Sequence, residues 1–132
     1  MRIYSMTLAA LLLTAISTNA MAEWTWFAAS SDEVSEFYVD YATIRKTGSK
    51  AKMWVLLDLK SAAEYQGIKF LSTKTQKQFD CLNEMTKTLY ETEFSENMGG
   101  GAVVLTFNSG NWMPISPDSI NNALWKIACG KK

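Results

Sequence analysis

The sequence predicts an α+β fold in which an antiparallel sheet of about five or six strands carries a C-terminal helix on one face. Three observations favour this fold. Residues 52–60 alternate in polarity with a period of two. Residues 68–94 are rich in threonine and contain neither proline nor glycine. Residues 116–130 carry the start signals, the apolar stripe and the stop signal of a helix.

The alternation within residues 52–60 orients the central strand. A period of two places successive side chains on opposite faces of a sheet. One set is wholly apolar and is predicted to face the core: Met53, Val55, Leu57 and Leu59. The other set is mixed and is predicted to face mostly water, with partial cover at its apolar members: Lys52, Trp54, Leu56, Asp58 and Lys60.

Further strands are predicted where β-branched and aromatic residues lie between turn signals. These strands are residues 24–28, 37–41 and 102–107, and the turns are residues 46–49, 98–101 and 108–111. Residues 68–94 are predicted to form two strands that meet near Cys81. A helix over residues 83–89 is the alternative, because Glu84, Met85 and Leu89 favour helix. The threonine content and the lack of a 3.6-residue period favour two strands.

The last element is predicted to be a helix that begins after Ser116. Ser116 is a suitable N-cap, Pro117 suits the first helical position, and the helix dipole favours the negative charge of Asp118. Gly130 is a typical stop signal. Between them, one apolar stripe has the spacing of a helix face: Ile120, Ala123, Leu124, Ile127 and Ala128.

The N-terminus predicts export. Arg2 is followed by an apolar run over residues 6–16 and by the pattern Ala20-Met21-Ala22, which is typical of a signal-peptidase site. The run is too short to cross a bilayer, which needs roughly 20 apolar residues. We therefore expect residues 1–22 to be a cleaved signal peptide and residues 23–132 to be one domain. Because no cysteine lies near the predicted cut, we expect a periplasmic or secreted protein without a lipoprotein anchor.

The two cysteines, Cys81 and Cys129, are predicted to form a disulfide that ties the helix to the sheet. In an oxidising compartment a sole cysteine pair is most simply a disulfide. Free thiols or metal ligands are the alternative. Two thiolates in a chain with no histidine make a poor zinc site, so we expect no metal.

Charge and composition argue against several classes of function. Without residues 1–22 the chain has 12 basic and 13 acidic residues, so it lacks the positive charge that drives nucleic-acid binding. It contains no histidine, the commonest general base. Asp40 and Asp58 lie among apolar strand residues and are better explained as strand-end or outward-facing acids than as catalytic groups. We expect a non-enzymatic protein with no cofactor.

Tryptophan and lysine supply the remaining candidates for binding. Trp24, Trp26 and Trp112 are predicted to fill the core, and an exposed aromatic surface for a partner is the alternative. The densest positive stretch contains Lys69, Lys74, Lys77 and Lys87. A solvated strand edge that discourages aggregation is its default explanation. Lys74 and Lys77 differ by an odd number, so an unbroken strand would place them on opposite faces.

Motifs in a fixed order along the chain resemble the surface-adhesin protein E family of Gram-negative bacteria. They are residues 37–40 with Ile44, residues 54–59, Ser72 with residues 79–81, residues 98–103, residues 115–119, residues 122–123 and residues 127–129. The resemblance covers nearly the whole predicted domain. It implies an antiparallel sheet with a C-terminal helix held by a disulfide, and it implies binding to host extracellular-matrix proteins.

The resemblance also points to binding residues. In the founding adhesin of that family the binding segment is a basic stretch around the first cysteine, which corresponds here to Lys69, Lys74, Lys77 and Lys87. We therefore expect an exported, adhesin-like binding domain of the cell envelope with a protein partner. A soluble periplasmic inhibitor or assembly factor that binds another envelope protein is the alternative.

Overall fold

The computed structural model describes residues 22–108 and 110–131, so the predicted signal peptide lies almost entirely outside the described residues. Within them, seven strands, one short 3-10 helix and one α-helix follow one another. The strands are β1 (Thr25–Ala29), β2 (Ser35–Thr47), β3 (Lys50–Tyr65), β4 (Ile68–Asp80), β5 (Met85–Phe94), β6 (Val103–Asn108) and β7 (Met113–Pro114). The 3-10 helix is Asn97–Gly99, and the α-helix α1 is Ile120–Cys129.

The strands form one antiparallel sheet in the order β1-β2-β3-β4-β5-β6, and the two-residue β7 pairs with the start of β5. Consecutive strands are neighbours because tight turns connect most of them. The predicted sheet with one C-terminal helix is confirmed. The strands β2 and β3 are longer than predicted, since the polar residues that flank their apolar centres also pair across the sheet.

Residues 83–89 do not form a helix. A turn over residues 81–84 leads directly into β5, which pairs with β4 on one side and with β6 on the other. Two neighbouring strands satisfy the backbone hydrogen bonds of this segment, and this pairing overrides its helix propensity. The prediction of two strands between residues 68 and 94 is therefore confirmed.

The core lies between the sheet and α1. Met53 and Val55 are buried there with Val39 from β2, Phe79 from β4 and Leu124 from α1. The predicted inward face of the central strand is thus confirmed at its centre. The opposite face of β3 is less exposed to solvent than predicted, because Leu56 has no exposed surface. Its cross-strand partners Tyr38 and Lys74 flank Leu56 on that face.

The start of α1 corrects the predicted N-cap. Asp118 has a φ of 58°, which is incompatible with a helix that begins at Pro117. Ser119 is the N-cap instead: its hydroxyl accepts a hydrogen bond from the Asn122 N–H at 3.1 Å. The same hydroxyl donates to the Ser116 carbonyl oxygen at 2.7 Å, so Ser116 and Pro117 belong to the preceding turn.

The buried stripe of α1 includes a residue that the periodicity did not predict. Leu124 and Ala128 are buried as expected, and Ile120 and Ile127 pack against the core at its margin. Trp125 is also buried, and its indole N–H donates a hydrogen bond of 2.8 Å to the Asp80 carbonyl oxygen. The indole thus links the helix to the end of β4.

The disulfide is confirmed. Cys81 follows β4, Cys129 ends α1, and their Cα atoms are 5.7 Å apart. Both cysteines are used in this bond, so the alternatives of free thiols and metal ligands are excluded. None of the helices in the described part of the chain has the length and apolar character needed to cross a membrane.

A lysine–tryptophan face on the open side of the sheet

The sheet face opposite the core carries lysine and tryptophan side chains from three strands and from the segments before β1 and β7. Cross-strand register places Lys52 beside Gln78 and Gln78 beside Lys87, while Lys74 lies beside Leu56. These positions alternate with the core positions Met53, Val55 and Phe79, so they point away from α1. We call this surface the lysine–tryptophan face; it contains Lys50, Lys52, Lys74, Lys87, Trp24, Trp54 and Trp112.

Lys74 is held between aromatic rings. Its Nζ lies 4.9 Å from the centroid of the Phe94 ring and 6.0 Å from that of the Trp24 ring. An ammonium group in such a position is attracted by the negative face of the ring. Gly99 lies against the end of the same side chain: a Cβ at this position would overlap Cε of Lys74 and would lie 2.9 Å from its Nζ.

The loop that carries Gly99 is fixed to the sheet by polar contacts. The Gly99 N–H donates to the Ser72 hydroxyl at 2.9 Å, and that hydroxyl donates to the Glu96 carbonyl oxygen at 2.6 Å. The Asp58 carboxylate accepts hydrogen bonds from the Met98 N–H at 2.8 Å and from the Asn97 side-chain amide at 3.0 Å. Asp58 is therefore a loop anchor, and the position of Lys74 is set before any partner binds.

A groove of about 710 Å³ runs beside Lys74. Its lining includes Trp24, Lys52 and Trp54, together with the buried Asp40. Tyr90, two strands away on the same face, meets Trp54 edge to face with ring centroids 6.1 Å apart. The groove thus combines two tryptophan side chains with the cationic side chains of Arg45, Lys52 and Lys74.

A second pair of lysines lies at the other end of the face. The Nζ atoms of Lys50 and Lys87 are 5.6 and 5.0 Å from the centroid of the Trp112 ring. Lys50 also pairs with the Asp80 carboxylate at 3.3 Å. Hydrogen bonds from the side chain and backbone of Asn83 and from Leu82, with a further contribution from Lys50, hold the pKa of Asp80 well below its usual range.

The four predicted binding lysines do not form one cluster. Lys74 and Lys87 share the lysine–tryptophan face, whereas Lys77 points to the core side, where burial lowers its pKa. The expected separation of Lys74 and Lys77 onto opposite faces is thus confirmed. Lys69 is exposed near the β3–β4 hairpin, where it pairs across the strands with Glu64.

Other residues of the face could not be predicted from the sequence. The period of two placed Lys52 and Trp54 opposite the core, but nothing in the sequence brought this strand together with Lys74 and Lys87. The prediction that Trp24, Trp26 and Trp112 fill the core is wrong. They lie outside the core cluster, and 53% of Trp26 is exposed.

Asp40 lies on the outward face predicted for it, opposite Trp54, but it is buried there and not exposed to water. It is 5% exposed, and its carboxylate accepts a hydrogen bond from the Ala42 N–H at 3.1 Å. The Thr43 hydroxyl also donates to the Asp40 carbonyl oxygen at 2.6 Å. These bonds shape the irregularity in β2 after Asp40.

Within the described part of the chain, three or more potential metal ligands do not cluster anywhere.

The fold and the site together define a small disulfide-bonded α+β domain whose open sheet face is cationic and aromatic. The chain belongs to the surface-adhesin protein E family, whose model matches residues 24–130. A search of curated proteins found no match.

Solved structures share the fold. A crystal form II structure of Haemophilus influenzae protein E superposes with a TM-score of 0.63 at 14% identity, covering 80% of this chain and 87% of that one. Another structure of Haemophilus influenzae protein E gives a TM-score of 0.62 at 14% identity, with coverages of 80% and 83%. Protein E from non-typeable Haemophilus influenzae gives a TM-score of 0.54 at 16% identity, with coverages of 71% and 69%.

Proposed function

We propose that this chain is an exported, non-enzymatic binding domain of the bacterial cell envelope that holds a protein partner on its lysine–tryptophan face. The observation that carries the proposal is the placement of Lys74 between Phe94 and Trp24, beside a groove that α1 leaves uncovered. A long side chain that is already ordered loses less conformational entropy when a partner binds. Lys74 is therefore the expected centre of the binding energy.

The chemistry of the face defines the partner. Lysine ammonium groups favour carboxylates, and tryptophan rings favour apolar and aromatic side chains, which are typical anchors of protein interfaces. An acidic segment of a protein that also presents an apolar side chain satisfies both. Since the family implies adhesion, we propose a host extracellular-matrix protein as the partner.

The test compares two variants with the same change in net charge. Lys74→Gln/Lys87→Gln removes two charges from the lysine–tryptophan face. Lys69→Gln/Lys126→Gln removes two exposed charges from the β3–β4 hairpin and from α1. Binding of the purified domain to immobilised matrix proteins is measured by surface plasmon resonance at two salt concentrations.

We expect the face variant to bind at least about tenfold more weakly, because each charge-assisted hydrogen bond contributes about 1.5–3 kcal/mol. The control variant should bind like the wild type. Wild-type binding should weaken as salt rises, since exposed charges are screened. Equal affinities of the two variants would contradict binding through the lysine–tryptophan face. Failure of the wild type to bind would contradict a matrix protein as the partner.

Export is the second part of the proposal. We propose that residues 1–22 are removed and that the mature domain begins at Glu23, next to the groove; the start of the family match at residue 24 and of β1 at Thr25 support this. Amino-terminal sequencing of the protein from envelope fractions should begin at Glu23. Complete release by osmotic shock, with none at the cell surface or in the medium, would favour the periplasmic inhibitor or assembly factor over an adhesin.

A further inference from the structure

A second cavity lies on the core side of the sheet, beneath the first turns of α1. Its volume is about 300 Å³, at the small end of ligand-binding pockets. Apolar side chains form most of its walls, including Phe37 from β2, Phe70 from β4 and Ile120 from α1. Its polar side is formed by β4 and β5. The cavity is separated from the lysine–tryptophan face by the sheet itself.

Two glutamates from β5 line this cavity. Glu93 is 4% exposed, and its Oε2 atom is buried without a hydrogen-bond partner in the described part of the chain. Glu91, two residues earlier on the same face, accepts a hydrogen bond from the Thr75 hydroxyl at 3.3 Å. Burial, together with the neighbouring charge of Glu91, raises the pKa of Glu93 to about 7. A buried carboxylate without a partner is costly, so this site favours a group that donates hydrogen bonds.

Among the described residues, Glu93 forms no ion pair with a charged side chain from another element. Lys77 from β4 lines the same cavity, but within residues 22–108 and 110–131 the sole ion pair closer than 4.0 Å is that of Lys50 with Asp80. The lining residues from β2, β3 and α1 carry no titratable side chain. Glu91, Glu93 and Lys77 are therefore the groups that set the electrostatics of the cavity.

We propose that this cavity binds a small primary amine with an apolar body, its ammonium group held by Glu91 and Glu93. The alternatives match the lining less well. An anion would meet one cation, Lys77, against Glu91 and the ionised form of Glu93. A neutral apolar molecule would leave Oε2 of Glu93 unpaired. A bare metal ion would gain nothing from Phe37 and Phe70, and it prefers more oxygen ligands than two carboxyl groups offer.

Binding has a predictable dependence on pH. A proton on Glu93 competes with the ammonium group for the same oxygen atoms. Because this proton is lost as the pH rises through about 7, the amine should bind more tightly at pH 8 than at pH 6. The primary amine itself stays protonated over this range, because the pKa of such a group is about 10.4.

The probe is 2-phenylethylamine, titrated into the mature domain and followed by nuclear magnetic resonance. We expect saturable shifts at residues that line the cavity, and binding at least about tenfold weaker for 2-phenylethanol, which has the same shape without the charge. Glu93→Gln should weaken amine binding by a similar factor, whereas Glu64→Gln, a change at an exposed acid of the β3–β4 hairpin, should not.

Three results would overturn the proposal. They are the absence of saturable shifts at the cavity with wild-type protein, equal binding of the amine and the alcohol, and equal binding of the amine by wild-type protein and folded Glu93→Gln. If Glu93→Gln does not fold, the comparison of the two probes on the wild type at pH 6 and pH 8 decides. If the affinity for 2-phenylethylamine relative to 2-phenylethanol is no higher at pH 8 than at pH 6, this result counts against the amine site.

Discussion

Gly99→Ala tests whether the glycine loop positions Lys74. Gly99 has a φ of 73°, a conformation that costs an ordinary residue about 1–2 kcal/mol. Part of this cost is offset, because alanine lowers the conformational entropy of the unfolded chain by about 0.4–1 kcal/mol. The net loss of folding stability should be about 1 kcal/mol. The new Cβ must also displace the Lys74 side chain, which lies against Gly99.

Gly67→Ala is the matched control. Gly67 has a φ of 81° in the β3–β4 turn, and no atom lies within 4 Å of the position that its Cβ would take. Both variants should therefore lose a similar free energy of unfolding in urea. Only Gly99→Ala should shift the Lys74 ε-methylene resonances, which lie near the Phe94 and Trp24 rings and should experience their ring currents.

Carbon–proton correlation spectra of the three proteins give the result. In the wild type the Lys74 ε-proton resonances should lie away from those of the exposed lysines, and in Gly99→Ala they should move towards them. Unchanged Lys74 resonances in Gly99→Ala, or the same displacement in Gly67→Ala, would refute the role of the loop in placing this side chain.

Three further predictions concern stability. Replacing Cys81 and Cys129 by alanine opens a 48-residue loop and should lower the unfolding free energy by about 4 kcal/mol; a loss below about 1 kcal/mol in urea would contradict this. The pKa of Asp80 is lower in the folded state than in the unfolded state, so its contribution is present above pH of about 4 and is lost on acidification. Urea midpoints from pH 5 to pH 2 should thus fall more steeply for wild type than for Asp80→Asn, and equal slopes would count against the role of this carboxylate. The pKa of Glu93 is higher in the folded state than in the unfolded state, so the free energy of unfolding should fall between pH of about 4.5 and about 7, by at most about 3 kcal/mol. Glu93→Gln should show a smaller fall over this range. A variant that keeps the wild-type slope would show that another group titrates.

Local sequence patterns predicted the six longer strands and the C-terminal helix, but neither the 3-10 helix nor the two-residue β7. The alternation within residues 52–60 gave the inward positions Met53 and Val55, because the period of a strand depends on the backbone alone. The N-cap was misplaced by three residues, since Ser116 and Ser119 are both suitable and the left-handed backbone at Asp118 cannot be seen in the sequence.

The site depended on contacts between distant segments. Lys74 and Lys87 were among the predicted binding residues, but their partners come from other parts of the chain: Trp24 from the segment before β1 and Trp112 from the segment before β7. Sheet register alone decides which lysines share a face, and it also turns Lys77 towards the core. Composition could not distinguish tryptophans that fill the core from those that line an open face.

Protection of lysines in the complex tests the central claim most directly. The domain is acetylated alone and when bound to an immobilised matrix protein, and the modification of each lysine is measured by mass spectrometry. Lys52, Lys74 and Lys87 should be protected in the complex, while Lys69 and Lys126 should react as in the free domain. Protection of Lys69 and Lys126, with unchanged reactivity at Lys52 and Lys74, would contradict binding through the lysine–tryptophan face.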